Sequence, residues 1–125
     1  MRALLDTSVL IGEVAPHGVE GAISVASISE LHFGVLVADS DDERARRAAR
    51  LAAVEAAFDP LPVTVEVARV WGQLAAAVLL RGANPRRRQV GLLIAATAAV
   101  EQVPLLTYYL DDFRLISDLV DARLP

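Results

Sequence analysis

Three acids, Asp6, Glu30 and Asp112, each come just after a short apolar run: Met1 to Leu5, Ala22 to Ala26 and Val103 to Thr107. If those runs are strands of one parallel sheet, the acids emerge at the same edge, beyond the carboxyl ends of the strands, where α/β sheets hold their ligands. Carboxylates gathered in one place repel, and burying them together is costly unless a cation compensates. A hard divalent ion such as Mg²⁺ or Mn²⁺ does this. It prefers oxygen ligands, keeps several waters and needs only two or three carboxylates while a substrate phosphate completes its shell. The reaction that such a site serves is phosphodiester hydrolysis, with the metal activating water and shielding charge on phosphorus.

Each acid also has a structural reading. Asp6-Thr7-Ser8 would cap a helix over Val9 to Glu13. Ser27 with Glu30 has the spacing of a capping box, and Asp111 or Asp112 would cap a terminal helix. A small α/β domain in which every acid is only a cap is therefore an open alternative. The sequence offers little competing machinery: no P-loop, no Gly-rich dinucleotide fingerprint and no nucleophile elbow. Of the two histidines, His17 falls in an expected loop and His32 on a helix beside Glu30, which makes His32 the better candidate.

The elements that must position these acids can be read from the pattern. At 125 residues the chain is expected to form a single domain, 1–125. With 54% hydrophobic and 5% aromatic residues, its core is built from Ala, Val, Leu and Ile, as when helices pack on a parallel sheet. A net charge of −4 argues against broad coating of nucleic acid but permits a local basic patch, and the absence of Cys excludes disulfides and thiolate metal sites. No apolar run is long enough to span a membrane, and Asp6 interrupts the first run too early for a signal peptide. The expected protein is soluble and cytoplasmic. Strand-like and helical runs alternate, as in βαβ units. Strands are expected up to Leu5, over Ala22 to Ala26, over Leu61 to Val63 and over Val103 to Thr107. Helices are expected from Ser27, over Asp41 to Phe58, from the Thr64 cap through Leu80 with Gly82 closing it, and over Leu92 to Val100 as a buried helix. Ala83 to Val90 reads as a basic loop, and the residues after about Leu119 as a short tail.

These segments resemble the PIN-domain ribonucleases, specifically the VapC toxin branch of type II toxin–antitoxin systems. The resemblance rests on Leu4-Leu5-Asp6-Thr7-Ser8, on Ile28-Ser29-Glu30-Leu31 with Gly34, on Leu92-Leu93-Ile94-Ala95-Ala96-Thr97-Ala98, and on Leu105-Leu106-Thr107 leading to Asp112-Phe113. It spans nearly the whole chain in family order. It implies a PIN-like three-layer α/β fold with a central parallel sheet flanked by helices, Mg²⁺ or Mn²⁺ dependence, endonucleolytic cleavage of RNA, a homodimer and a cognate VapB-like antitoxin. Asp6 then matches an acid that binds the metal and Glu30 one that orients water or helps to activate the nucleophile. Asp112 matches the acid of the family's Asp-Phe pair near the metal. Ser8 and Thr107 match small polar residues that support these acids, and Asp111 is a neighbour able to substitute.

The sequence departs from the family at two places. Where the branch ordinarily has a metal-binding Asp immediately before Leu-Leu-Ile-Ala-Ala-Thr, this chain has Gly91, and no other acid lies between Glu66 and Glu101. Two residues beyond Thr107, where Asn or Asp is usual, stands Tyr109. Gly costs roughly 1 kcal/mol relative to Ala in a helix, so Gly91 has no obvious structural benefit. An inactivating change, a natural loss of function and a weaker site using Asp6, Asp112 and waters are all compatible with it. The competing functional class is a module that binds antitoxin or RNA without cutting. RNA contact is expected from Arg81 and from Arg86, Arg87 and Arg88, with a merely solvated loop as the alternative. An antitoxin helix would use the apolar faces of Leu31 to Val37 and Leu51 to Phe58, while Trp71 is expected to be buried.

Overall fold

The computed structural model describes residues 1–12 and 16–125. Four parallel strands run in the order β2 (Glu20–Ala22), β1 (Arg2–Leu5), β3 (Leu105–Leu106) and β4 (Ala122–Arg123). The helices are α1 (Thr7–Ile11), α2 (Val25–Leu36), α3 (Asp41–Ala57), α4 (Val65–Leu80) and α5 (Gln89–Glu101). Two 3-10 turns, Pro85–Arg88 and Leu110–Ile116, complete the architecture.

Strand periodicity of two sorts the core into two layers. Leu4 of β1 and Leu105 of β3 pack with Leu74 and Val78 of α4 and Leu92, Ile94 and Ala95 of α5. Their strand neighbours Ala3, Leu5 and Leu106 pack on the opposite face with Val9, Leu31 of α2 and Leu51 and Val54 of α3. Helices thus cover both faces of the sheet, which is the expected three-layer α/β fold. The small residues Ala95, Ala96 and Ala98 are fully buried, as expected for an apolar helix set against the sheet and its neighbouring helix.

Several boundaries differ from the sequence expectation. The second strand covers Glu20–Ala22 rather than Ala22 to Ala26, because Ser24 caps α2 by accepting from the Ala26 N–H at 3.0 Å, so the helix begins at Val25. The capping box of Ser27 with Glu30 is consequently absent: Ser27 already lies inside the helix and is buried. The expected strand at Leu61 to Val63 shrinks to a bridge between Ser24 and Leu61. Within the expected loop, Asn84 caps the turn Pro85–Arg88 through the Arg86 N–H, and α5 starts at Gln89. The C-terminal segment is no tail. β4 pairs with β3 through bonds from the Leu105 and Thr107 N–H groups to Asp121 and Arg123 carbonyls, both 2.9 Å. The α1 helix ends at Ile11; the expected Glu13 terminus lies outside the described residues. The α3 and α4 helices fall where their patterns put them. Ser40 and Thr64 supply their caps at 3.1 Å to the Glu43 and Val67 N–H groups.

Candidate active site

Register brings the first residues of the site together. Leu5 of β1 pairs with Leu106 of β3, so the next residue of each strand, Asp6 and Thr107, emerge side by side at the carboxyl edge. Asp6 is 8% exposed, and its Oδ2 accepts from Thr107 Oγ1 and from Ser8 Oγ, both at 2.8 Å. Asp6 occupies the N-cap position of α1 yet makes no side-chain cap bond. Its carboxylate is spent on these two hydroxyls rather than on the helix amides, so the simple cap reading does not describe it. Among the described residues, Oδ1 has no hydrogen-bond partner. The two hydroxyls also accept backbone N–H groups: Tyr108 donates to Ser8 Oγ at 3.1 Å and Tyr109 to Thr107 Oγ1 at 3.0 Å.

A cavity of about 370 Å³ opens above this edge. Asp6, Ser8, Glu30 and Asp112 line it, together with Thr7, Ile11, Arg87, Arg88, Gly91, Leu92, Tyr109 and Phe113. The three sequence-designated acids therefore share one cavity wall. Glu30 reaches it from α2 and accepts from Thr7 Oγ1 at 2.6 Å, while the same hydroxyl contacts Ser27 Oγ at 3.0 Å. Asp112 sits in the first turn of the 3-10 segment after β3. Its carbonyl accepts from Arg88 Nη1, and its carboxylate lies 3.7 Å from that nitrogen. Asp111 turns away to pair with Arg114.

Of the basic residues, Arg87 and Arg88 line the cavity and the exposed Arg86 does not. Arg81 lies elsewhere, clamped to Asp118 by bonds of 2.7 and 3.1 Å and to the Leu115 carbonyl at 2.5 Å. Its hydrogen-bonding guanidinium holds the Asp118 carboxyl below the usual carboxylate range. His17 and His32 are exposed and do not line the cavity. Trp71 is half-buried on the core, its Nε1–H donating to the Gln89 carbonyl at 3.1 Å. Three cavity residues were not foreseen for their present roles: Thr7, which ties Glu30 to the first strand end, Ile11, and Arg88 as the partner of Asp112. A hydroxyl following an acid was the available sign for Thr7. The Arg88 contact, by contrast, joins distant segments and had no local sign.

Among the described residues no group of three or more His, Asp and Glu side chains is placed to hold a metal ion together. The residues present fit a hard cation that takes one or two carboxylates and keeps its waters, with Asp6 Oδ1 open to it. They do not form a closed carboxylate cage. Gly91 lies on the same wall, and a Cβ there would meet only Phe113 Cζ, at an ordinary 3.9 Å. The backbone therefore leaves room for a Cβ at that place.

Helices on both faces of a parallel sheet, with acids and two arginines lining one cavity at its carboxyl edge, define an α/β protein with a charged cleft. Relatives make the family specific. The chain is 37% identical to Ribonuclease VapC5 of Mycobacterium tuberculosis over 97% of its own length and 92% of the relative's. It is 35% identical to Ribonuclease VapC4 of the same organism, over 85% of each chain. The crystal structure of VapBC-5 from Mycobacterium tuberculosis, a member of the VapBC toxin–antitoxin family, superposes with a TM-score of 0.82 at 34% identity, covering 98% of this chain and 96% of that one. VapBC2 from Rickettsia felis, bound to a promoter DNA fragment, shares the fold with a TM-score of 0.75 at 19% identity, covering 99% and 98%. No protein-family model matches the chain. On the curated relatives and the fold, this chain belongs to the VapC ribonucleases, the PIN-domain toxins of toxin–antitoxin systems.

Proposed function

We propose that the chain is the toxin component of a type II toxin–antitoxin system, a divalent-metal-dependent endoribonuclease that hydrolyses RNA phosphodiester bonds in the Asp6 cavity. The observation that carries this reading is the buried Asp6, whose Oδ2 is fixed by two hydroxyls while Oδ1 is left without a protein partner among the described residues. Mg²⁺ or Mn²⁺, when bound, supplies the Lewis acidity that activates water and shields charge on phosphorus. Asp6 and Asp112 are the residues that would hold it. Glu30 is positioned by the Thr7 hydroxyl on Oε1, and its Oε2, without a hydrogen-bond partner among the described residues, would take a proton from the attacking water. Arg87 and Arg88 give the cavity the positive wall that a phosphate backbone requires, and Arg86 extends it outside.

A VapB-like antitoxin is the proposed protein partner, by analogy with the VapBC assemblies, and a homodimer the proposed state. On α2, Phe33 and Leu36 are 66% and 63% exposed, so this part of the expected groove is free to receive an apolar helix; Leu51 and Val54 of α3 are committed to the core. Among the described residues no helix is long and apolar enough to cross a membrane. The cytoplasm, where RNA and antitoxin meet, is the proposed compartment.

A second reading, a PIN-fold module that binds antitoxin or RNA without cleaving, is favoured by the absence, among the described residues, of three acidic or histidine side chains placed to hold a metal together, and by Gly91 on the cavity wall. Induced expression in a bacterial host tests the choice. The first reading expects growth arrest and discrete RNA fragments, both abolished by Asp6→Ala and suppressed by a co-expressed antitoxin. Unimpaired growth with intact RNA, at confirmed expression of folded protein, would reject it.

A further inference from the structure

We infer that Ser27, buried behind the cavity, is a positioning residue for the reaction: its hydroxyl orients that of Thr7, and Thr7 in turn holds Glu30. The inference rests on the ribonuclease reading above and adds to it a residue that lies outside the cavity.

Ser27 is fully buried in the first turn of α2 and does not line the cavity. A buried hydroxyl must find a partner or cost the protein its desolvation. Inside a helix, serine and threonine commonly find one by bonding back to a carbonyl of the preceding turn. Ser29 on the same helix does so, donating to the Ala26 carbonyl at 2.6 Å, and Thr97 on α5 donates to the Leu93 carbonyl at 2.8 Å. The Ser27 hydroxyl does not. Among the described residues its partner is Thr7 Oγ1, 3.0 Å away on α1.

The direction of that bond follows from the protons available. Thr7 Oγ1 carries one hydrogen and lies 2.6 Å from Glu30 Oε1, and an ionised carboxylate only accepts. The Thr7 proton is therefore committed to Glu30, and Ser27 is the donor to Thr7. The two bonds form a directed chain from Ser27 through Thr7 to the Glu30 carboxylate, each polarising the next. The chain ends on a side chain that would otherwise be mobile. Glu30 is exposed on the cavity wall, and a long exposed carboxylate keeps its rotamer freedom unless something holds it. Here Oε1 is held from the buried side, and Oε2 has no partner among the described residues. Because α2 carries both ends of the chain and α1 its middle, Glu30 is set only when the two helices are docked.

The test is steady-state cleavage, in Mn²⁺, of one labelled RNA that the parent chain cuts from a mixed pool. Thermal unfolding in EDTA gives a readout independent of activity. Thr7→Val keeps the shape and should lower kcat roughly 100-fold, the loss expected when a reacting group is misplaced by about 1 Å. Ser27→Ala, which weakens the chain one bond further back, should lower kcat about ten-fold. KM should stay the same in both, because an oriented base acts in the transition state and not in binding. Thr7→Ser, which keeps the hydroxyl, should hold kcat near the parent value, and so should Ser29→Ala, whose hydroxyl serves its own helix. In a Glu30→Gln background Ser27→Ala should lower kcat no further, whereas a purely structural role would give the same loss in both backgrounds. In EDTA the Tm of the Thr7→Val, Ser27→Ala double variant should be no lower than that of Thr7→Val alone. An unchanged kcat in Ser27→Ala, an equal fall in the Glu30→Gln background, or additive Tm losses would each overturn the role of Ser27, while cleavage by the parent would leave the ribonuclease reading intact. A pool left uncut by the parent chain would reject both.

Discussion

Replacing Thr107 with valine asks whether the carboxylate of Asp6 is held in place by its neighbours as strongly as the geometry implies. Thr107 is fully buried, and its hydroxyl donates to Asp6 Oδ2 at 2.8 Å while accepting the Tyr109 N–H at 3.0 Å. Valine keeps the shape and puts a methyl where the hydroxyl was, so no cavity opens and only the hydrogen bonds are lost. A hydrogen bond to a charged group contributes about 1.5–3 kcal/mol. Asp6 retains the Ser8 bond, and the N–H of exposed Tyr109 can turn to water, so the expected loss is about 2 kcal/mol. With an unfolding entropy of about 2.1 cal/mol/K per residue, a chain of this length loses about 8 °C in Tm. Thermal unfolding in EDTA at neutral pH would measure it, beside Asp6→Ala and the double variant. In the Asp6→Ala background the Thr107 change should cost much less, giving a coupling energy above about 1 kcal/mol. A fall in Tm below about 2 °C, or the same fall in both backgrounds, would refute the claim that this bond fixes Asp6.

Other consequences can be checked directly. A Cβ at Gly21 would stand 2.7 Å from Cδ1 of the buried Leu5, so Gly21→Ala should destabilise by about 1–3 kcal/mol in denaturant titration. Arg81 holds the Asp118 carboxyl below its ordinary value of 3.8. The pair therefore adds stability at pH values above 3.8 that is lost as pH falls through the lowered value, and Arg81→Ala should narrow the gap in stability between pH 5 and acid, as followed by melting at successive pH values. Gly91→Asp should raise Mn²⁺ affinity by ten-fold or more in calorimetric or spin-resonance titrations, because Gly91 lines the cavity and a Cβ there meets Phe113 only at ordinary contact distance. The same change should make the metal-free protein slightly less stable, since it adds a like charge near Asp6.

The sequence disclosed what depends on strong local pattern. α3 and α4, the latter with its Thr64 cap, stand where periodicity put them, and the apolar α5 forms as expected but begins three residues earlier, at Gln89. Strand ends were harder, because β2 and β4 are edge strands of three and two residues. At an edge only one side is paired, so Glu20, Gly21 and Arg123 can be strand residues without apolar alternation, and β4 is defined by its bonds to β3 rather than by its composition. Ser24 misled for a related reason: it follows the buried Ile23 in extended backbone, so strand and helix cap look alike until the Ala26 N–H is seen to reach it. For the site, acids after apolar runs were sufficient to place Asp6, Glu30 and Asp112 on one cavity, since parallel topology forces those ends together. The use of Thr7 for Glu30 and of Arg88 for Asp112 was not legible. Those contacts depend on how α1, α2 and the 3-10 turns are docked, and no spacing encodes that.

The most direct measurement is the cleavage of a labelled RNA pool by the purified chain across a Mg²⁺ and Mn²⁺ series, with Asp6→Ala and Gly91→Asp alongside. The account predicts metal-dependent cleavage by the parent chain that disappears in EDTA and in Asp6→Ala, and that proceeds faster or at lower metal concentration in Gly91→Asp. Silence of the parent chain with cleavage gained by Gly91→Asp would contradict it, and the cavity of this chain would then be one that binds without cutting.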